Sequence, residues 1–305
     1  MHAVPKHLPP STSTTISQGR AAQEDPLWVR WTLISLAVCT MVVLVVIPLV
    51  NVFYSAFSNG FASYWNSLVG DKDTVHAIKL TLFVVPITVV ANVIFGVAAA
   101  WCITRFRFWG RTLLTTLIDL PFAISPVVAG LMFVLIFGER GYLGPWLRMY
   151  NIQILHAWPA IVLVTTFVTL PFVARELIPV MEAIGPDEEI AAISLGANSW
   201  QMFWRVTVPN IKWGLLYGVI LCNARAMGEY GAVYVVSGRL VGKTETMPIR
   251  VSTLMDGMTS DSISSSFALA SLLTMLALVT LFVKIALEHK TQEDLRQAAK
   301  VQQLE

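Results

Sequence analysis

The sequence predicts an all-α integral membrane protein, and three observations carry that prediction. Of 305 residues, 55% are hydrophobic and only 13% are charged, against about 25% charged in soluble domains. The apolar residues gather into six long runs, each above the roughly 20 residues that a helix needs to cross a bilayer. The runs are continuous rather than alternating, which excludes a β-barrel of short two-residue-period strands. Lipid offers backbone groups no partner, so each run must satisfy its own hydrogen bonds as a helix. A net charge of +2 is too small to imply nucleic acid, and its distribution is more informative than its sum.

Residues 1–26 are rich in Ser, Thr and Pro without periodicity and are expected to form a disordered cytoplasmic tail. The predicted spans are 27–57, 75–104, 112–137, 157–181, 211–237 and 262–287. The first is too long for the apolar stretch of a signal peptide and ends without a small-residue cleavage site, so it is expected to be retained. Together, 27–287 form the transmembrane domain, and 288–305 form a charged helical extension. Prolines 48, 86, 121, 126, 171 and 179 fall within the runs, which suggests kinked, tightly packed helices.

Lys and Arg set the orientation, because cytoplasmic loops carry an excess of them. The two tails, Arg30 and the loops at 105–111 and 175–213 hold about 12, and the opposite loops at 58–79, 138–156 and 238–263 hold about 7. Both termini and the 175–213 loop are therefore expected in the cytoplasm.

That loop contains the most distinctive segment, GPDEEIAAISLGANSWQMFWRVTVP at 185–209. Gly185-Pro186 opens a helix, with Pro suited to the first helical position. Asp187, Glu188 and Glu189 then oppose the positive end of the helix dipole. Ala191 and Ala192 present a small surface, and Gly196 suits a left-handed helix end. Asn198 and Gln201 are spaced as a capping box for a second short helix. That helix carries Trp200, Phe203 and Trp204, and Pro209 is expected to end it. The spacing of Ala191-Ala192, Gly196, Val206 and Val208-Pro209 resembles the cytoplasmic coupling loop of bacterial ABC-importer permeases, the Glu-Ala-Ala loop. Ile190 stands where that pattern has its Glu, with Glu188 and Glu189 just before it. The resemblance implies that Glu188, Glu189, Ala191, Ala192, Gly196, Val206 and Pro209 dock an ATPase.

No nucleophile motif, paired-carboxylate pattern or metal-ligand spacing is present in the sequence. Gly238–Thr244 approaches a phosphate-binding loop, but has three residues between its glycines where four are needed. The chain is therefore not expected to hydrolyse ATP or to be an enzyme. Cys39, Cys102 and Cys222 lie far apart in apolar runs and are expected to be small buried hydrophobes. Two charges near the middle of the fifth run are stronger signals, because charge within a membrane faces a partner, the bundle interior or water. Arg225 and Glu229 lie four apart on one helix face. Arg225 either contacts a transported anion or pairs structurally with Glu229, and the structural pair is the expected arrangement. Asp119 either pairs with Arg225 across helices or sits at a polar interface. Arg175 and Glu176 are expected to be interfacial anchors.

The segments DLPFAISPVVAG, FVTLPFVARELIPVM, SWQMFWRVTVPNIKWGLLYGV and NARAMGEYGAVYVVSG together resemble the sulfate/thiosulfate ABC-transporter permeases over roughly residues 28–287. RELIPVM is closer to the W-type subunit than to its T-type paralogue. The resemblance implies a six-helix type I importer permease in the bacterial inner membrane. It implies a heterodimer with the T-type subunit and two copies of a cytoplasmic ABC ATPase that carry the ATP and Mg. It also implies a periplasmic sulfate/thiosulfate-binding protein, and no cofactor in this chain. Two alternatives stay open: a molybdate or tungstate permease of the same fold, and an ATPase-independent secondary anion transporter.

Overall fold

The computed structural model describes residues 26–302, with side chains through 286; the expected N-terminal tail lies almost wholly outside the described residues. The chain divides into two compact units, Met1–Val50 and Asn51–Glu305. Helices follow one another in the order α1 Leu27–Phe57, α2 Phe61–Val69, α3 Lys72–Arg105, α4 Arg111–Ala123, α5 Pro126–Phe137, α6 Gly144–Met149 and α7 Trp158–Ile184. They continue as α8 Asp187–Ser194, α9 Ser199–Met202, α10 Val208–Met227, α11 Gly231–Ser237, α12 Met247–Asp256 and α13 Ser260–Gln302. No strand occurs among the described residues. The charged extension after residue 287 continues α13 as a helix to Gln302.

Among the described residues, four helices are long and apolar enough to cross a membrane: α1, α3, α7 and Ser260–Ala286 of α13. A fifth crossing is available if α4 and α5 count as one, but they are bent by 110° rather than continuous. The bend falls at Ile124 and Ser125, both extended, because Pro126 disfavours helical geometry in the residue before it. The run at 211–237 is likewise not one helix. It breaks at Gly228–Tyr230, between α10 and α11. Asn210, Lys212, Asn223 and Arg225 dilute the apolar character of α10.

Within the second unit, α3, α7 and α10 form the centre. Leu80 and Val84 pack with Ile161 and Val164, and Ala100 packs with Val173, Leu177 and Met181, so α3 and α7 run parallel. α10 returns antiparallel. Two glycines permit this. A Cβ on Gly96 of α3 would lie 2.7 Å from Val173 Cγ1, and one on Gly218 of α10 would lie 3.1 Å from Val173 Cα. Membrane helices lack a hydrophobic drive to associate and gain instead from such close backbone approach. Asn92, fully buried on α3, donates to Thr169 Oγ1 of α7 at 2.7 Å and to Cys222 Sγ of α10 at 3.4 Å. Cys222 is buried as expected; Cys39 is exposed and Cys102 intermediate.

The end of the bundle opposite residues 187–207 is held by Arg250. Its guanidinium meets Asp71 Oδ2 at 2.7 Å and Glu245 Oε2 at 3.3 Å. Thr253 Oγ1 donates to Glu245 Oε1 at 2.8 Å, so the almost fully buried Glu245 is satisfied. Asp71 caps α3 by accepting from the backbone N–H groups of Asp73 and Thr74 and from the Thr74 hydroxyl. Burial raises the Asp71 pKa, but the bonds from Thr74, Arg250 and Asp73 outweigh it and hold the carboxyl below its ordinary value. A lowered folded pKa gives stability that is present above the unfolded pKa and lost as pH falls through the folded one. Asp71→Asn is therefore expected to lower the unfolding temperature at neutral pH. The difference from wild type should shrink as pH falls below about 4, as a thermal unfolding series in buffered detergent would show. A difference that grows with acid would contradict the assignment.

Candidate functional site

Residues 185–209 fold largely as their local chemistry dictates. Asp187, Glu188 and Glu189 occupy the first turn of α8, with Pro186 as N-cap residue rather than first helical residue. Gly196 has φ +90°, and the N–H groups of Gly196 and Ala197 close the helix end onto the carbonyls of Ile193 and Ala192. Asn198 and Gln201 form a reciprocal capping box, at 2.7 and 3.1 Å. A Cβ on Gly196 would meet nothing within 4 Å, so space does not restrict this position; the left-handed backbone does. Gly196→Glu is expected to strain the turn by about 1–2 kcal/mol and to weaken transport without blocking membrane insertion. Uptake at matched membrane abundance would check this.

Pro209 does not end the second helix. The chain runs helically from Ser199 through a π-helical stretch, Phe203–Thr207, into α10, whose first turn contains Pro209. Proline lacks an N–H and clashes with the carbonyl four residues back. The π stretch widens the preceding turn, and the Val208 N–H bonds to the Phe203 carbonyl five residues back, so the helix passes through. Phe203 and Trp204 therefore lie on the π stretch, not on a separate short helix.

The segment is fastened to the bundle by a carboxylate. Glu189, 8% exposed, receives the Arg105 fork at 2.8 and 3.1 Å and the Thr207 hydroxyl at 2.9 Å. Arg105, the last residue of α3, also donates to the carbonyls of Met181 and Gly185 at 3.0 and 2.8 Å. One guanidinium thus joins α3, the end of α7, and α8. Phe203 stacks on Trp101 of α3, with ring centroids 4.9 Å apart and planes 6° apart. Asn210 donates to Glu188 across the module. Ala191, Val206 and Pro209 sit on or near its surface, with Ala192 and Val206 half-buried. Ile190, Ile193, Leu195, Trp200 and Trp204 are exposed, and the two tryptophan rings meet edge to face, 5.6 Å between centroids. The role of Arg105 and Thr207 as partners of Glu189 was not legible from spacing, because both are distant in sequence. The arginine-rich loop was the one available signal.

Among the described residues, Arg225, Glu229, Asp119 and Arg175 form two ion pairs. Arg225 Nη1 lies 2.6 Å from Glu229 Oε2, as the four-residue spacing predicts. Glu229 is 2% exposed and its Oε1 accepts from the Ala232 N–H at 3.0 Å, so it also tethers α11 where the helix breaks. Asp119 does not meet Arg225. It receives Arg175 in a fork, at 2.8 and 3.3 Å, and the guanidinium lies 5.0 Å from the Phe122 ring centroid. Arg175 is therefore the ion-pair partner of Asp119. The reason is placement: α4 packs against α7, whereas Arg225 stands near the end of α10 with its own acid one turn on. No group of three or more metal-ligating side chains occurs among the described residues.

The structure is thus a bundle with helices long and apolar enough to cross a membrane, to one end of which a two-helix module is fastened by a buried ion pair. Residues 92–293 match the family described as binding-protein-dependent transport system inner membrane component, and the chain belongs to that family. It is 48% identical over 271 residues to the sulfate transport system permease protein CysW of Escherichia coli, covering 89% of this chain and 92% of that protein. It is also 48% identical to CysW of Synechocystis, over 86% of this chain and 94% of that protein. The sulfate permease protein CysT of Escherichia coli is 36% identical, over 81% of this chain and 88% of that protein. Among solved structures, a bacterial ABC transporter involved in import of the polysaccharide alginate superimposes with a TM-score of 0.69 at 17% identity. It covers 87% of this chain and 96% of that one, and at that identity it shows the fold alone. The relatives are named permease proteins rather than enzymes.

Proposed function

We propose that this chain is a W-type permease subunit of an ATP-driven importer of sulfate and thiosulfate, forming half of its translocation path beside a T-type paralogue. The observation that carries the reading is the module at 187–207, held by Glu189 and Arg105 and displaying Ile190, Ile193, Leu195, Trp200 and Trp204. Such an apolar, aromatic face on a rigid base suits a protein partner. The partner is a cytoplasmic ABC ATPase, present in two copies, which carries the ATP and Mg; this chain needs no cofactor. The similarity to CysW and CysT supports the sulfate substrate and the heterodimer. A periplasmic binding protein supplies the anion at the opposite end. The chain crosses the inner membrane six times, with the bent α4–α5 pair and the α10–α11 pair each counted once, and both termini are cytoplasmic.

Two experiments test this. In the reconstituted transporter, sulfate and thiosulfate delivered by the binding protein should stimulate ATP hydrolysis, and molybdate should not. Stimulation by molybdate alone would reject the substrate assignment. In a background without native cysteines, Ser58→Cys should react with an impermeant thiol reagent in intact cells and Ala298→Cys should not. The reverse pattern would invert the topology.

A further inference from the structure

Where α10 breaks, four parts of the fold meet around a small cavity of about 10 Å³. Thr81, Val84 and Val85 line it from α3, and Ile161 and Thr165 from α7. Glu229 and its neighbours line it from the α10–α11 break, and Thr246 lines it from the start of α12. Thr165 and Thr246, at 1% and 5% exposed, each leave Oγ1 without a hydrogen-bond partner. Glu229, 2% exposed, has its Oε2 engaged by Arg225 at 2.6 Å, and that oxygen retains acceptor capacity because it has two lone pairs. The Thr81 hydroxyl is already used. It donates to the Ala77 carbonyl and accepts the Met247 N–H, at 2.9 and 2.8 Å.

Buried hydroxyls and carboxylates are rarely left without partners, because each such group costs about 1–3 kcal/mol. Two such hydroxyls and a carboxylate oxygen with a remaining lone pair around one cavity form a polar site of a particular size. A volume of about 10–15 Å³ holds one water, which then needs two to four polar partners. A metal cation is disfavoured here by the Arg225 guanidinium on the same carboxylate oxygen, and the volume excludes any polyatomic anion.

We propose that this cavity is a binding site for a single water molecule, which donates to the Glu229 carboxylate and bonds with the hydroxyls of Thr165 and Thr246. The water joins α7 and the start of α12 to the break between α10 and α11. The site therefore fixes the position of the break and, through Glu229, the position of Arg225. This assignment is independent of which anion the protein transports.

The sign of a stability change tests the site. If the cavity holds water, Thr165→Val and Thr246→Val each remove one of its partners, and each lowers the unfolding temperature of the purified transporter. The double variant then falls by less than the sum, because the same water is lost. If the cavity is dry, each substitution removes an unsatisfied buried hydroxyl at almost constant volume, and the unfolding temperature rises. Thr165→Ser keeps the hydroxyl and retains the water, with a milder effect than valine. A high-resolution map of the wild-type transporter provides a second readout that needs no variant. Density within hydrogen-bond distance of all three oxygens supports the site. A rise in unfolding temperature with Thr165→Val, or a map without that density, overturns it.

Discussion

Glu189→Ala should separate membrane insertion from transport. The variant leaves the guanidinium of Arg105, about one-tenth exposed, without its carboxylate. Removing one partner of a buried pair costs about 3–5 kcal/mol, because the remaining charge stays desolvated. The Thr207 hydroxyl loses its acceptor in the same step. No spanning helix is altered, so the chain should reach the membrane in normal amount. Residues 187–207 should come loose from the ends of α3 and α7, and uptake should fall to background while the ATPase no longer co-purifies. Glu189→Gln keeps an acceptor for Thr207 and for one Arg105 N–H, so it should fall between alanine and wild type. Normal uptake by Glu189→Ala would show that the module does not need its bolt.

The second large effect is expected at Arg225. Arg225→Ala strands the Glu229 carboxylate, 2% exposed, in the interior of the bundle, and the loss should again be about 3–5 kcal/mol. Assembly should suffer first. Arg225→Met with Glu229→Gln removes both charges and keeps a side-chain oxygen for the Ala232 N–H, which Glu229 accepts at 3.0 Å. If the pair is structural, this double variant should recover assembly and much of the uptake. If Arg225 serves the anion, the double variant should assemble and fail to transport. Sulfate uptake at matched abundance decides between them, and a well-assembled but inactive double variant would reject the structural role.

What the sequence disclosed and what it hid follow one physical line. Features set by neighbours within a turn or two were legible: the acidic first turn of α8, the left-handed Gly196, the Asn198–Gln201 box and the Arg225–Glu229 pair. Each depends on spacing alone. Features set by packing were not. Asp119 takes Arg175 and not Arg225, because the choice depends on which helix lies beside α4. Glu189 finds Arg105 across 84 positions, and Arg250 finds Asp71 across 179. The breaks at Ile124–Ser125 and Gly228–Tyr230 lie inside runs whose apolar composition hides them. Hydropathy counts residues and does not register direction. Pro209 shows the limit of a local rule: proline does disfavour helix, but a π turn before it restores continuity.

That continuity has a consequence for connectivity. From Ser199 to Met227 the backbone is continuously helical, about 40 Å of helix at 1.5 Å per residue. One end carries Trp200 and the other carries Arg225. The exposed tip at Trp200 and the charge at Arg225, three residues before Gly228, therefore belong to one secondary-structure element, and the first interruption beyond the tip is the break at Gly228–Tyr230.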